Sequence, residues 1–202
     1  MATRTREELD RLVGLHAQWV LSAARDGERW SASDEDLKGV SLPKANLAEV
    51  ELAEANFDDA DLAGADLYGA WLAGGSFERA NLTGATLVKA TADEAKFTGA
   101  RMEKLNGLRC SFVRAVFRGA HLAEANLGAA ELFDADLQGA DLKGADLDGA
   151  GLEGACVHGA DLRGVRGVEK VVVPHLFVGP DFTEKLEGEA ALAWVVRAAS
   201  GE

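Results

Sequence analysis

A period of five residues runs through the chain from Leu37 to Leu162 without a slip. Stepping by five gives 26 repeat centres, of which 22 are Leu or Phe, and the residue two places before the centre is Ala in 20 repeats. Five residues match neither the 3.6-residue period of an α-helix nor the two-residue period of a strand. Gly follows two places after the centre in 13 repeats, which disfavours a helix further. The pattern predicts a coil that turns a corner in every repeat, with one bulky residue and one Ala pointing inward.

The phenylalanines indicate how many repeats make one coil. Phe57, Phe77, Phe97 and Phe117 follow one another at intervals of 20 residues, and among the centres only Phe112 lies outside this series. If four repeats form one coil, the four rings stack above one another on one side, an arrangement that aromatic contacts favour. The sequence therefore predicts a four-sided coil of 20 residues.

The repeat units resemble those of the pentapeptide-repeat family, whose unit is A(D/N)LXX. Examples are Ala-Asn-Leu-Thr-Gly at 80–84, Ala-Asp-Leu-Gln-Gly at 135–139 and Ala-Asp-Leu-Lys-Gly at 140–144. The resemblance covers about two thirds of the chain and implies an all-β solenoid, a right-handed quadrilateral β-helix of about 6.5 coils. At about 4.8 Å per coil, the rod would be about 31 Å long.

The regions outside the repeats predict caps, because the end coils of a solenoid need covering. We expect an N-terminal helical cap in residues 1–34, the β-helix in 35–166 and a C-terminal strand and helix in 167–202. Thr5 and Glu8 form a capping box, which predicts a helix from about residue 5 to 24. Its apolar stripe is followed by Trp30, expected to anchor the entry to the first coil. The stripe comprises Leu9, Leu12, Val13, His16, Val20 and Ala23, with Trp19 beside it.

The C-terminal region has two interpretations. Residues 168–173 predict a strand before Pro174, and Asp181 or Thr183 is a candidate cap for a final helix. The candidate cap or dimer contacts of that helix are Leu186, Ala190, Trp194 and Val195, with Ala198 on the same side. The stripe either covers the last coil or pairs with a second copy of itself to form a homodimer.

The repeat around Gly107 departs from the rule. Gly107 occupies a centre, while Leu105 occupies the position that is usually Ala. Large and small residues have exchanged places inside one repeat, which keeps the core volume nearly constant. A one-residue bulge that inserts Leu108 is the alternative, and both interpretations predict a locally irregular coil.

Catalytic and metal-binding motifs are absent from the sequence. It contains no phosphate-binding loop, no nucleophile elbow and no His-Glu-x-x-His motif. Cys110 and Cys156 lack metal-ligand spacing and should lie about 11 Å apart along the axis, too far for a disulfide. His121 lies in an outward row of polar residues, more typical of a solvated ladder than of a metal site. We expect a cytoplasmic protein that is not an enzyme, with no cofactor, no metal and no membrane association.

One corner of the predicted rod is apolar on its outside. The outward residues in two neighbouring columns form the candidate partner-binding surface: Tyr68, Trp71, Val88, Leu108, Val113 and Phe133. Exposed apolar patches often mark partner surfaces, and Trp and Tyr are common at binding hot spots. The alternative is that the C-terminal segment folds back and covers this corner.

Charge is segregated along the repeats. Residues 37–78 carry 2 basic and 8 acidic side chains, residues 79–118 carry 8 and 3, and residues 119–164 carry 2 and 9. The three parts therefore have net charges of −6, +5 and −7, which places a basic waist between acidic ends.

The family resemblance implies a partner, and the charge pattern agrees with it only in part. Several family members modulate or protect DNA gyrase and topoisomerase IV by mimicking DNA, and this is the first specific hypothesis for the chain. A 31 Å duplex carries about 18 phosphates, whereas the repeats sum to −8. The second hypothesis is an adaptor, regulator-binding or immunity-type protein that grips one protein partner. Direct binding of nucleic acid is not expected from so acidic a chain.

Overall fold

The repeats form a right-handed quadrilateral β-helix in the computed structural model, which describes residues 4–31 and 33–201. Single-residue parallel bridges join the residue before each centre to the residue 20 positions later, from Ser31–Glu51 through to Asp146–Arg166. Four repeats therefore make one coil, as the phenylalanine spacing predicts. The centres and the residues two places before them line the interior, and nearly all of them are fully buried.

The phenylalanine series forms an internal stack. Neighbouring ring centroids from Phe57 through Phe77 and Phe97 to Phe117 are each 5.1 Å apart, and the ring planes are within 16° of parallel. Phe112 lies on the adjacent wall and meets Phe97 and Phe117 edge-on, at 5.8 and 5.2 Å. The predicted aromatic spine is confirmed, and Phe112 joins it from the side.

Each repeat turns its corner through a residue with positive φ, two places after the centre. All 26 of these residues have positive φ, from Gly39 at 67° to Gly164 at 73°. Glycine adopts this conformation without steric cost, which explains why it fills half of these positions. The other half carry a side chain in the left-handed region, as at Glu54 with φ 60°.

Asp and Asn before the centre stabilise the same turn. The Oδ1 atom of Asp66 accepts a hydrogen bond from the Tyr68 amide at 3.0 Å, and Asn56 does the same for Asp58. The amide of Asn81 also donates to Asp61 one coil away, at 2.9 Å. These bonds help the turn but fill no interior space, which is why this position of the repeat is less strictly kept.

The exchanged repeat is regular. Leu105 and Gly107 are both buried, and the turns and bridges continue through 101–110 without a bulge. A Cβ added to Gly107 would lie 3.2 Å from the Leu105 Cδ2 atom and 3.1 Å from that of Leu127. Leu105 therefore fills the volume that the missing side chain would occupy. The expected irregularity is wrong, because the exchange conserves volume.

Helix α1 (Arg6–Leu21) covers the first coil. Thr5 and Glu8 form the predicted capping box, and Leu9 and His16 are buried. Two side chains of α1 donate hydrogen bonds to carbonyl groups at the open edge: Arg6 Nη1 to Ser41 O and His16 Nε2 to Ala48 O, both at 2.9 Å. The helix ends before residue 24. Ser22 Oγ accepts from two amides beyond the helix, and Ala23 and Ala24 both have positive φ.

His16 joins this cap to the rod through both of its ring nitrogens. The Trp30 amide donates to Nδ1 at 3.0 Å, so Nδ1 is an acceptor and Nε2 carries the proton donated to Ala48. Burial lowers the pKa of His16 and the Arg29 charge acts in the same direction, while the bond to Ala48 and Glu49 oppose them. The neutral ring is therefore the form that the cap requires.

We expect acid to weaken the fold through His16. The folded pKa is below the ordinary value of about 6.5, so the unfolded chain takes up this proton first. The free energy of unfolding should not be reduced by His16 above about pH 6.5. It should decrease as the pH falls from there towards the pKa of His16 in the folded protein. Urea denaturation at pH 7.5 and 5.5 measures the change. His16→Gln should reduce the loss and His121→Gln, at an exposed site, should leave it unchanged. Equal losses in wild type and His16→Gln would contradict the assignment.

The first part of the C-terminal segment continues the ladder with a shift of one residue. Val168–Lys170 is a 3₁₀ turn, so a strand over 168–173 is wrong. Only Val172 bridges the rod, to Gly151, and Phe177 next bridges Cys156, each 21 residues apart. Gly167 precedes the turn at φ 74°, where an added Cβ would lie 2.5 Å from the Asp148 backbone. The bridge spacing increases from 20 to 21 residues at this point, where Gly167 passes close to the Asp148 backbone.

After this ladder the chain forms a short antiparallel hairpin, whose first strand still bridges the rod through Phe177, and then a final helix. Strand β1 (His175–Phe177) pairs antiparallel with β2 (Lys185–Glu187), through a 3₁₀ turn at Pro180–Phe182. Asp181 does not cap a helix; it accepts a hydrogen bond from Arg118 Nη2 at 2.9 Å, while its amide donates to Gln138 at 3.0 Å. Thr183 follows this 3₁₀ turn and likewise caps no α-helix. The segment is thus fastened to the side of the rod.

Helix α2 (Gly188–Ser200) packs on the last coil. Its N-cap is Glu187, without a side-chain capping bond. Ala191 and Val195 are buried and Trp194 and Ala198 partly buried against the core. Ala190 is exposed, so the predicted stripe is wrong there. Leu186 packs against the core as a cap residue would, but from β2 rather than from the helix. The inner face of the helix keeps the predicted Trp194, Val195 and Ala198, and Ala191 takes the place expected for Ala190.

Candidate protein-binding surface

Tyr68 and Trp71 are two exposed aromatic residues at one corner of the rod, three positions apart along the chain. Trp71 is 51% exposed and Tyr68 38% exposed, in a rod whose other outward residues are mostly polar. Lys89, one coil further on, places Nζ 3.2 Å from Tyr68 Oη and 5.6 Å from the ring centroid. We call Tyr68, Trp71 and Lys89 the aromatic corner.

The backbone beneath the aromatic corner is held on both sides. The Trp71 amide donates to Val50 O at 2.8 Å, and Trp71 O accepts from the Leu52 amide at 2.9 Å. Trp71 also forms bridges to Glu51 and Thr91, in the coils on either side. Its indole is one wall of a hollow of about 220 Å³, whose other walls include Ser31 and Glu51. A partner would therefore meet a side chain presented on fixed backbone.

The remaining predicted residues are less exposed. Val88 and Leu108 continue the Tyr68 column and are half-buried, and Leu108 leans over Gly128, where an added Cβ would lie 3.2 Å from its Cδ1 atom. Val113 is half-buried too. Phe133 lies flat over Gly151, whose added Cβ would come within 2.4 Å of its ring. Glycines in the next coil thus accommodate two of these side chains.

The structure divides the predicted surface into two parts. Phe133 lies three coils beyond Trp71, or about 14 Å at 4.8 Å per coil. The C-terminal segment bridges the rod at Gly151 and Cys156, in the last coil, and does not cover Tyr68 or Trp71. The aromatic corner is therefore the part of the predicted patch that lies open.

Lys89 is the residue that the sequence analysis missed here. It lies 21 positions after Tyr68, which places it in the next coil and one residue further round the corner. Once the period of 20 is known, this offset brings an ammonium group within reach of the phenol. Counting charge by face rather than by region therefore identifies Lys89 from the sequence.

The basic waist is exposed on several sides of the rod. Arg79 pairs with Asp59, Arg114 with Glu94, and Arg118 with Asp136. Within residues 4–31 and 33–201, by contrast, four exposed basic side chains of the waist have no acidic partner within ion-pair distance: Lys89, Lys96, Arg101 and Arg109. Arg109 follows Lys89 in the same outward column, so positive charge continues along the aromatic corner.

In the polar row through His121, side-chain hydrogen bonds and ion pairs lie at the two ends. Asp61 accepts from Asn81, and Asp161 binds both Lys143 and Arg163. These cations hold the pKa of Asp161 far below its usual value, with the Arg163 hydrogen bond as the largest cause. Over the described part of the chain, no group of three or more acidic, His or Cys residues is arranged to hold a metal ion.

Both cysteines are buried, free thiols, as predicted. Burial raises the pKa of Cys110 well above its ordinary value, and Asp93 and Glu131 add to this effect. The thiol of Cys156 lies under the C-terminal segment, with Sγ 3.4 Å from Gly179 O. No helix in the described residues is long and apolar enough to cross a bilayer.

Comparisons with known proteins agree with this architecture. The family model for pentapeptide repeats matches eight copies, over residues 36–69, 60–99, 110–149 and 127–164. No curated protein matches the chain.

Among solved structures, the chain is similar to HetL, a pentapeptide repeat protein involved in heterocyst differentiation regulation in the cyanobacterium Nostoc. The two share 24% identity over 78% of this chain and 75% of HetL, with a TM-score of 0.55. QnrB1, a plasmid-mediated fluoroquinolone resistance protein, shares 21% identity over 70% of this chain and 90% of its own, with a TM-score of 0.37. Rfr23 from the cyanobacterium Cyanothece shares 22% over 79% and 97%, with a TM-score of 0.29. At these identities the likeness concerns the fold alone.

Proposed function

Because this chain belongs to the pentapeptide-repeat family, we propose that it is a non-catalytic solenoid that holds one protein partner against the aromatic corner. The observation that carries the proposal is the half-exposed indole of Trp71 beside Tyr68, on backbone bonded from both sides. The exposed parts of these rings contribute no stabilisation by burial to the folded chain. A partner that covers them gains that energy without ordering the corner first.

Charge defines the chemistry of the partner. Lys89 lies over the Tyr68 ring and Arg109 follows it in the same column, while the waist as a whole carries +5. The partner surface should therefore combine an apolar recess for the Trp71 indole with carboxylates that meet Lys89 and Arg109. Complementary charge of this kind selects the partner and speeds the encounter.

The topoisomerase hypothesis is weaker for this chain. A uniformly basic DNA-binding groove would meet the basic waist as a like charge, since residues 79–118 have the wrong sign for a DNA mimic. Gyrase supercoiling tests it directly. We expect no change in supercoiling or in quinolone inhibition with the protein in large excess over the enzyme. If the protein inhibits gyrase or protects it from quinolones, and the effect depends on the acidic ends of the rod, the chain is a DNA mimic and the proposed adaptor function is wrong.

Site-specific photo-crosslinking tests the proposed function. A photoreactive residue at Trp71 should crosslink one specific protein in cells, and the same residue at His121, on another side of the rod, should not. With that protein purified, Trp71→Ala should weaken binding by about thirtyfold or more, because a buried Trp at an interface is worth about 2 kcal/mol or more. Lys89→Glu should weaken binding as well, and the weakening should shrink at high salt.

Stability measurements complete this test. Trp71→Ala should lower the melting temperature only modestly, since half of the indole is in solvent and contributes nothing by burial. His121→Ala is the matched control for exposure on another side and should bind normally. Full affinity in Trp71→Ala together with a large loss of stability would show that Trp71 serves the fold, and the proposed function would fail.

A further inference from the structure

One side of the last coil has an unpaired bridge position. In every lower coil on this side, the amide of the centre donates to the next coil, as Leu142 does to Asp161 O at 2.9 Å. The carbonyl two places before the centre accepts from the next coil, as Ala140 O does from the Asp161 amide. In the last coil the equivalent groups are the Leu162 amide and the Ala160 carbonyl. Among the described residues neither has a backbone partner.

The chain's own path explains why this position is open. The C-terminal segment supplies the missing coil on the other three sides, through Arg166 with Asp146, Val172 with Gly151, and Phe177 with Cys156. It then turns away at Pro180–Phe182, where Asp181 and Phe182 have φ of 48° and 60°. Continuation of the ladder would have placed Phe182 above Asp161. The reversal into β2 leaves Asp161 without a bridge above it, while the end of α2 returns over the turn that follows, where the Gly164 amide donates to Ala199 O at 2.8 Å.

A groove runs along this edge. It has a volume of about 350 Å³ and lies between the edge residues 159–163 and one side of α2, where Trp194, Ala198 and Gly201 form the wall. Small residues on both sides leave room for a backbone to approach, and Trp194 provides an apolar surface. The groove therefore combines one free donor, one free acceptor and an aromatic wall.

We propose that this edge binds an extended segment of a second protein, which adds one parallel bridge above Asp161. The amide of the bridging residue would donate to Ala160 O, and its carbonyl would accept from the Leu162 amide. The next residue of the segment would be apolar and would pack against Trp194 in the groove, since the Leu162 side chain is already buried. Such strand addition draws its affinity from main-chain hydrogen bonds and its specificity from the neighbouring pocket.

A second copy of this chain does not fit the position. The matching open edge of a second molecule is the first coil at Ser41, where the carbonyl already accepts from Arg6 of α1. Helix α1 covers that end of the rod, so head-to-tail stacking would require its removal. This binding edge is also remote from the aromatic corner and does not depend on it.

Hydrogen exchange of backbone amides in the full chain, without peptide, tests whether the Leu162 amide is unpaired. The Leu162 amide should exchange at least a hundredfold faster than the Leu142 amide, its paired equivalent one coil below, because an unpaired edge amide lacks protection. Equal protection of the two amides at low protein concentration would show that the edge is already closed and would overturn the proposal.

A peptide then tests binding. The probe is a synthetic peptide with the sequence of residues 159–165, Gly-Ala-Asp-Leu-Arg-Gly-Val. These residues form the last coil on this side, and the peptide would repeat them one coil further on. At millimolar concentration it should slow exchange at Leu162 by tenfold or more and shift the Trp194 indole resonance, without effect at Leu142. The same peptide N-methylated at its Asp residue lacks the bridging donor and should bind at least tenfold more weakly.

Three outcomes would overturn the proposal. The first is no response of Leu162 to saturating peptide, and the second is equally tight binding of the N-methylated peptide; either would show that no bridge forms. Protection of Leu162 that rises with protein concentration in the absence of peptide would instead show self-association at this edge.

Discussion

Replacing Phe97 with Ala should lower the free energy of unfolding by about 3–5 kcal/mol. Phe97 lies between Phe77 and Phe117 with centroids 5.1 Å away on each side, and Phe112 meets it edge-on. Removing the ring takes away three aromatic contacts and leaves a cavity in a closely packed interior. The neighbouring coils are fixed by their ladder bonds and cannot close it.

Urea denaturation measures this effect, and Phe97→Leu is its control. Leu is the common residue at the centres, so it should cost less, about 1–2 kcal/mol. Because each coil contacts only its neighbours, Phe97→Ala should also broaden the transition as the two halves of the rod unfold less cooperatively. A cost below about 1 kcal/mol for Phe97→Ala would show that the stack contributes little to stability.

Leu105→Ala should cost about 3–5 kcal/mol, at the upper end of the range for buried leucines. Elsewhere in the rod, a Leu or Phe at the centre could relax into the space left by a shortened neighbour. Here the centre is Gly107, which has no side chain to move. Gly107→Leu alone should be destabilising too, because its Cβ would already lie 3.1 and 3.2 Å from the two neighbouring leucines.

The double variant decides whether the two residues compensate each other. Leu105→Ala with Gly107→Leu restores the ordinary order of small and large residues, and the φ of Gly107 is not in the left-handed region. We expect it to lie within about 1 kcal/mol of wild type, so the two single costs should be strongly non-additive. Urea denaturation of all four proteins measures the coupling, and additive costs would contradict the exchange of volume.

The interior of the rod could be predicted because it depends on contacts at a fixed spacing. A period of five set the corner in each repeat, and the 20-residue interval of the phenylalanines set four corners per coil. The exchange of Leu105 and Gly107 could also be predicted from the sequence. That the backbone stays regular through this repeat could not. The requirement for positive φ at every corner was signalled by Gly in 13 repeats.

The candidate surface was predictable as a set of columns but not as a patch. Tyr68 and Trp71 lie together where the columns predicted, while Phe133 belongs to a different part of the rod. Whether an outward side chain stays exposed depends on the residue one coil away, and glycines such as Gly151 let Phe133 lie flat. Lys89 joins the aromatic corner for the same reason, through a neighbour 21 residues distant.

The chain's own pattern of large, small and turn-forming residues is sufficient for the β-helix, since every coil repeats the same local contacts with the coil before it. The C-terminal region has no such repetition. Its valines indicate a strand, yet a 3₁₀ turn forms because Gly167 must pass the Asp148 backbone, and the hairpin is fixed by Arg118 binding Asp181. These contacts join residues 19 to 63 positions apart that recur nowhere else, so the path of this segment, the buried face of α2 and the open edge at Leu162 follow from the assembled structure.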